Sequence, residues 1–363
     1  MKGDVFMYTA EQQKILESLK LTPKDNFLRV LKGEIPESVP LHNMGFVGYN
    51  NEATYKIVGP FLFDETHLTP APNGRYDIWG VKYVSSESTN FGCIPECGNY
   101  ILDVDDLENW RDYIKAPEMP EHIDWEMMAK KDWETSGIDH RQSAAMGIIG
   151  LMPFQQLVAF MGFENTFIAL AEEPEICKEI LNYMADLYYP ICVAASEHYT
   201  MDCIYLLDDT ASAQRPFISL DMYREFLKPV YQRLTKPFTD KGIPVQFHNC
   251  GHCEAFLDDM IDFGVKILDP SQTANDLLGI KKKYGRDFVL AGCWDWKPPL
   301  SWPNVEEEEI RQMVRDCVDT FAPGGAYMGR AGALGIPGDK DIARVNAWLG
   351  EEIYWYTRGY YTR

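Results

Sequence analysis

His248 and Cys250 stand two residues apart at the end of the run Val245-Gln246-Phe247, which follows Gly242 and Pro244. A short apolar run bounded by such breakers reads as a buried strand. In a strand, side chains i and i+2 leave the same face, so His248 and Cys250 project together where it ends. An imidazole nitrogen beside a thiolate sulfur supplies two of the three protein ligands of a catalytic zinc, with a fourth position open. Gly251 lets the chain turn, and His252 reads as solvent-facing at the start of the next helix. Other chemically able groups end other apolar runs: His42 and Asn43, Asp208 and Asp209, Asp269, Cys293 with Trp294, Asp295 and Trp296, and Arg330. Asp208 and Asp209 read either as catalytic carboxylates able to give a proton or as caps of the following turn. Asp269-Pro270 also fits a turn opener.

The elements that must position these residues follow from the hydrophobic pattern. Thr9–Lys32 has the apolar stripe of a helix, and Val39-Pro40-Leu41-His42 opens the first core strand. Asn50–Pro120 is irregular, rich in Gly, Pro and aromatic residues, with a small hairpin over Gly74–Val84. From about residue 120 helices and short apolar strands alternate. The strands are Ser143–Gly150, Asp202–Asp209, Val245–His248, Val265–Asp269, Phe288–Cys293 and Ala326–Arg330. Helices are expected over Phe154–Ala171, Pro174–Tyr199, Ser219–Asp240, Ala255–Phe263, Asn275–Tyr284, Val305–Phe321 and Asp339–Tyr356. Such alternation implies parallel strands joined by helical crossovers. With an eighth strand within residues 50–120, the pattern predicts an α/β fold, a (β/α)8 TIM barrel with an N-terminal helical and irregular cap region. Residues 1–363 are then one domain, with 50–120 as insertion or cap, and the site lies at the strands' C-terminal ends.

Composition narrows the partners. The chain has 55 acidic against 34 basic residues, a formal charge of −21, which argues against nucleic acid and anionic membrane surfaces. A hydrophobic content of 46% is ample for a large core. No run approaches the ~18 apolar residues of a membrane span, and the start of the chain lacks a signal-peptide core. Nine cysteines without such a signal read as reduced thiols, and the expected location is the cytoplasm. Cys177, Cys192 and Cys317 fall at buried helical positions, while Cys93 and Cys97 lack a nearby second ligand pair.

The succession of Leu206-Leu207-Asp208-Asp209, Ile218–Pro229, His248-Asn249-Cys250-Gly251, Val265–Pro270, Leu290–Asp295 and Ala322-Pro323-Gly324-Gly325 resembles the uroporphyrinogen decarboxylase-like superfamily. The likeness runs from about Gly150 to the C-terminus. It implies a (β/α)8 barrel and one of two activities: porphyrinogen decarboxylation, or methyl transfer by zinc enzymes that work with corrinoid proteins. A porphyrinogen with its many carboxylates needs cationic partners when buried. The first strand, Val39–Phe46, offers no arginine where the decarboxylases carry theirs. His248 and Cys250 instead match the His-x-Cys element of the zinc methyltransferases, including those of aromatic O-demethylase systems (the methyltransferase I type). The third zinc ligand of those enzymes is a cysteine after the last strand. Here that turn reads Gly332-Ala333-Leu334-Gly335, with Leu334 in its place. Cys293 is the substitute, with Asp208, Asp209 or a water as rivals.

The resemblance thus implies a methyltransferase that moves a methyl group from a small methylated donor, a methoxylated aromatic above all, to a Co(I) corrinoid. Zn2+ acts as Lewis acid, held by His248, Cys250 and Cys293. A carboxylic acid near Asp208 or Asp209 is an alternative source of a proton for the leaving oxygen. His42, Phe46, Tyr49, Trp294 and Trp296 are expected at the substrate, the aromatic ones as walls for a flat molecule. The chain contains no Asp-x-His-x-x-Gly corrinoid-binding motif, so the corrinoid (cobalamin) must arrive on a partner protein. The alternative is a metal-free lyase of the uroporphyrinogen decarboxylase type, in which Asp208 or a neighbour stabilises a protonated pyrrole.

Overall fold

The computed structural model describes residues 8–42, 53–63, 69, 71–86, 92–294, 304–333 and 338–363. Among them the short apolar runs form strands β1 (Tyr55–Ile57), β2 (Arg75–Tyr76), β3 (Lys82–Val84), β4 (Ile94–Pro95) and β5 (Ala144–Ile148). They continue with β6 (Cys203–Leu207), β7 (Val245–His248), β8 (Val265–Ser271), β9 (Val289–Gly292) and β10 (Tyr327–Gly329). A 7-stranded sheet has the order β1-β5-β6-β7-β8-β9-β10, and β2-β3-β4 form a separate antiparallel sheet. The pairs β6–β7, β8–β9 and β9–β10 are parallel, as helical crossovers require. The fold is therefore α/β. The expected hairpin is present as β2 and β3, and the strand expected within residues 50–120 is β1.

The first expected strand shrinks to one parallel bridge, Leu41 with Gly329 of β10. His42 N–H donates to the Gly329 carbonyl and Gly329 N–H to that of Pro40, each at 2.9 Å. Pro40 itself has no N–H to extend a ladder. Leu41 N–H turns to the side-chain oxygen of Thr54 at 3.2 Å. Among the described residues the main sheet therefore has seven strands rather than the expected eight, with Leu41 bridged to β10 and no backbone ladder between Leu41 and β1; the arrangement is compatible with the expected barrel.

Helix ends show where local chemistry overrides the apolar pattern. Thr9–Lys32 is two helices, Ala10–Ser18 and Pro23–Leu31, each opened by a threonine capping box. Pro23 cannot continue the first helix but suits the first turn of the second. Phe154–Ala171 likewise divides into Pro153–Met161 and Phe163–Glu172 at Gly162, where φ is +84°. A Cβ at Gly162 would meet the Tyr100 ring at 2.6 Å. The segment capped by Ser219 runs as Leu220–Met222, a π turn Tyr223–Leu227, and Lys228–Thr239. Pro229 offers no N–H to the carbonyl of Glu225, and the turn before it widens.

The chain divides into two compact units, one of Met1–Lys56, Ile138–Met146 and Lys266–Arg363, the other of Ile57–Gly137 and Gly147–Val265. In the second unit the long helix Pro174–His198 buries Cys177, Ile180, Leu181, Met184 and Cys192. In the first, helices Leu277–Tyr284, Glu307–Phe321 and Lys340–Thr357 follow the strands, and Ile310, Val314 and Val318 are buried. No helix among the described residues is long and apolar enough to cross a membrane.

Candidate metal centre

Strands β6 and β7 run side by side with Leu207 opposite His248, so their C-terminal ends stop at the same level. Two turns leave there, Asp208-Asp209-Thr210 and Asn249-Cys250-Gly251, and hydrogen bonds lace them together. Asp208 N–H donates to the His248 carbonyl at 3.0 Å. The buried Asn249 accepts from Thr210 N–H at 3.1 Å and donates to the Thr210 hydroxyl at 2.8 Å. Cys250 N–H donates to Asp209 Oδ1 at 2.8 Å. Gly251 lies at φ +87°, and a Cβ there would meet the Ser212 and Ala211 carbonyl oxygens at 2.5 and 2.6 Å. Only glycine fits so close to another backbone with that φ.

This lacing brings three ligand-type side chains together. Asp209, His248 and Cys250 offer a carboxylate oxygen, an imidazole nitrogen and a sulfur, all within 4.8 Å of one another, and each is half-buried. His248 Nε2 lies 3.4 Å from Cys250 Sγ and 3.9 Å from Asp209 Oδ1. A tetrahedron with bonds of about 2.0–2.3 Å has edges of about 3.5 Å, so the donors fit a zinc-sized cation without large movement. On the far side of the ring, His248 Nδ1 is 3.0 Å from the buried Tyr205 hydroxyl. Burial pushes the Cys250 thiol up, the His248 hydrogen bond pulls it down, and the Asp209 charge raises it again. A bound cation acts in the opposite sense to burial, because it holds sulfur as thiolate.

Asp208 faces the helix side of β6 and is fully buried. Its Oδ2 accepts from Phe154 N–H and the Tyr231 hydroxyl, both at 2.7 Å, and its Oδ1 from Gln155 N–H at 3.0 Å. It thus caps the N-terminus of helix Pro153–Met161, where backbone donors favour an anion. Burial pushes its carboxyl up to about 7, against the pull of those three donors.

His42, in the first unit, is buried against Asp269, Nε2 to Oδ2 at 2.9 Å, and Asp269 Oδ1 accepts from Arg330 at 2.6 Å. Cys293 is outside the Asp209, His248 and Cys250 group. It is buried with a left-handed φ of +56°, and its carbonyl accepts from the Cys317 thiol at 3.4 Å. Trp294 is also buried, its indole N–H donating to the Gly332 carbonyl at 2.7 Å. Phe46, Tyr49 and Trp296 lie outside the described residues, as does Leu334.

Sequence reasoning placed His248 and Cys250 together but missed Tyr205 and the role of Asn249. The same period-two rule held the missing signal. Tyr205 and Leu207 share one parity along β6 and Ile204 and Leu206 the other, and Asp209 and Asp208 continue these two rows in sequence just past its end.

The sequence matches the profile of the uroporphyrinogen decarboxylase (URO-D) family over residues 80–350. No curated protein matches it. Among solved structures, a methyltransferase from Methanosarcina mazei aligns with a TM-score of 0.56 at 16% identity, covering 92% of this chain and 100% of that one. At that identity the likeness is one of fold. Because the family match takes in β5 to β10, and with them both turns that carry the donor group, the chain belongs to the uroporphyrinogen decarboxylase family.

Proposed function

We propose that the protein is a zinc-dependent methyltransferase that moves a methyl group from a small methylated donor, a methoxylated aromatic above all, to the Co(I) corrinoid of a partner protein. The observation that carries this reading is the convergence of Asp209, His248 and Cys250 on one point at the ends of β6 and β7. The methyltransferase from Methanosarcina mazei, which shares the fold, lends support. His248 Nε2, Cys250 Sγ and an Asp209 oxygen would hold the metal, so Asp209 takes the third position in preference to Cys293.

A methyl ether is inert because an alkoxide or phenolate leaves poorly at neutral pH. When bound, zinc supplies a Lewis acid that stabilises negative charge on the departing oxygen. The protein's own residues do the rest. Asp209 is tied to the metal turn by the Cys250 N–H, and its charge stays beside the donors through that bond. Asp208 holds the start of helix Pro153–Met161 against the end of β6 and keeps the strand end rigid. In the transfer, the methyl carbon–oxygen bond would break with its electron pair left on oxygen, and the partner's Co(I) corrinoid, as methyl acceptor, would supply the electron pair of the new bond.

The lyase reading gives Asp208 or a neighbour the task of stabilising a protonated pyrrole; both oxygens of Asp208 are already engaged by Phe154, Gln155 and Tyr231, which leaves Asp209 as the carboxylate for that task. The test mixes the zinc-loaded protein with a reduced corrinoid protein and a panel of methoxylated aromatics. Methyl-Co(III) should appear in the absorption spectrum, and zinc removal should abolish it while the circular dichroism is unchanged. Decarboxylation of uroporphyrinogen by the metal-free protein, with no methyl-Co(III) from any donor, would overturn the proposal.

A further inference from the structure

Tyr205 sits in the middle of β6, opposite Gln246 of β7 and two pairs before His248. Its side chain is 1% exposed, its carbonyl accepts from Ile149 N–H at 2.9 Å, and its ring meets the His248 ring edge-on at 6.1 Å. The hydroxyl lies 3.0 Å from His248 Nδ1, on the opposite side of the imidazole from Cys250 and Asp209. We infer that Tyr205 is a positioning residue that fixes the ring angle and the tautomer of His248, leaving Nε2 as the coordinating nitrogen. This rests on the metal reading above.

A neutral imidazole carries one proton, on Nδ1 or on Nε2. Coordination through Nε2 needs the lone pair of that nitrogen, so the proton must sit on Nδ1 and find an acceptor there. A phenol oxygen accepts as readily as its O–H donates. Without metal the same contact can run the other way, with Tyr205 donating to Nδ1 and the ring proton on Nε2 beside the Cys250 sulfur. Metal binding then moves the proton from Nε2 to Nδ1 and reverses the Tyr205 hydrogen bond, with no proton gained or lost by the ring. Tyr205 is buried within the paired strands β6 and β7, which places its phenol beside the imidazole in the metal-free protein. Outer partners of a ligating histidine commonly control metal affinity in this way.

Tyr205→Phe keeps the buried ring and removes only the acceptor. Zinc affinity is read by competition with a chromophoric chelator, for the wild type, Tyr205→Phe and His248→Ala, with the melting temperature of each metal-free protein as the folding control. Tyr205→Phe should bind zinc about 10- to 100-fold more weakly than wild type while melting as a folded protein. A second readout needs no substitution: 15N-labelled histidine in the zinc-loaded wild type should show His248 protonated at Nδ1. Equal zinc affinity in wild type and Tyr205→Phe, or a zinc-loaded His248 protonated at Nε2, would overturn the role of Tyr205 alone. A wild type that binds no zinc, or binds it equally after His248→Ala, would overturn the metal reading and this role with it.

Discussion

Asp208 and Asp209 are adjacent carboxylates with opposite surroundings, because a strand turns successive side chains to opposite faces. Asp209 continues the row of Tyr205 and Leu207 and joins His248 and Cys250. Asp208 continues the row of Ile204 and Leu206 and is spent on the helix behind the sheet. Gly251 is the residue that lets Cys250 reach this place. Gly251→Ala puts a methyl group against two carbonyl oxygens at a φ of +87° and should cost about 1–3 kcal/mol. Denaturant unfolding of the metal-free protein measures this, and zinc binding should weaken as well. Unchanged stability would mean that the turn relaxes and Gly251 is dispensable. At this scale the His-x-Cys pair was legible, since same-face projection follows from spacing alone. The third donor was not, because Asp209 and Cys293 both end strands and the sequence does not say which strands are neighbours. The left-handed backbone of Cys293, one residue past Gly292, carries no sequence signal either.

Between β6 and the helix that follows lies a small hairpin, closed by the Ala211–Pro216 bridge and by Phe217 N–H donating to the Thr210 carbonyl. On one flank it accepts His252 N–H at the Ser212 carbonyl. On the other, the Phe217 ring stacks near Phe154 at 6.0 Å and meets Phe163 at 5.3 Å. The turn Asn249–Gly251 is therefore braced against a hairpin that is itself anchored by aromatic packing. Asn249 is the pin between them. Asn249→Ala leaves the buried Thr210 N–H and hydroxyl without their Asn249 partners, and should cost about 1–3 kcal/mol. Its zinc should also exchange faster, by chelator challenge, than that of the wild type; an exchange rate equal to wild type would remove Asn249 from the account. Element types were legible because the periodicity of long helices and apolar strands is strong. Helix ends were not, where a single Pro23 or Gly162 divides one apolar stripe into two helices. The aromatic wall expected at Trp294 was read from residue type and a strand end, which do not foretell that its indole N–H is bonded to the Gly332 carbonyl.

At the scale of the whole molecule, the donor group belongs entirely to one compact unit, whereas Cys293 and the His42–Asp269–Arg330 cluster belong to the other. The α/β alternation behind the seven-stranded sheet was legible from the pattern of strands and helices, and β1, the additional strand sought in the irregular region, falls there. Its three residues are too few for any periodicity to announce them. A formal charge of −21 disfavours polyanionic partners, which accords with a protein partner and a small donor. Zinc content decides the identity of the metal site. Protein prepared with zinc supplied should hold about one zinc per chain in the wild type and in Cys293→Ser, and far less in Asp209→Ala and in His248→Ala/Cys250→Ala. A wild type without zinc, or zinc kept by Asp209→Ala and lost by Cys293→Ser, would contradict it.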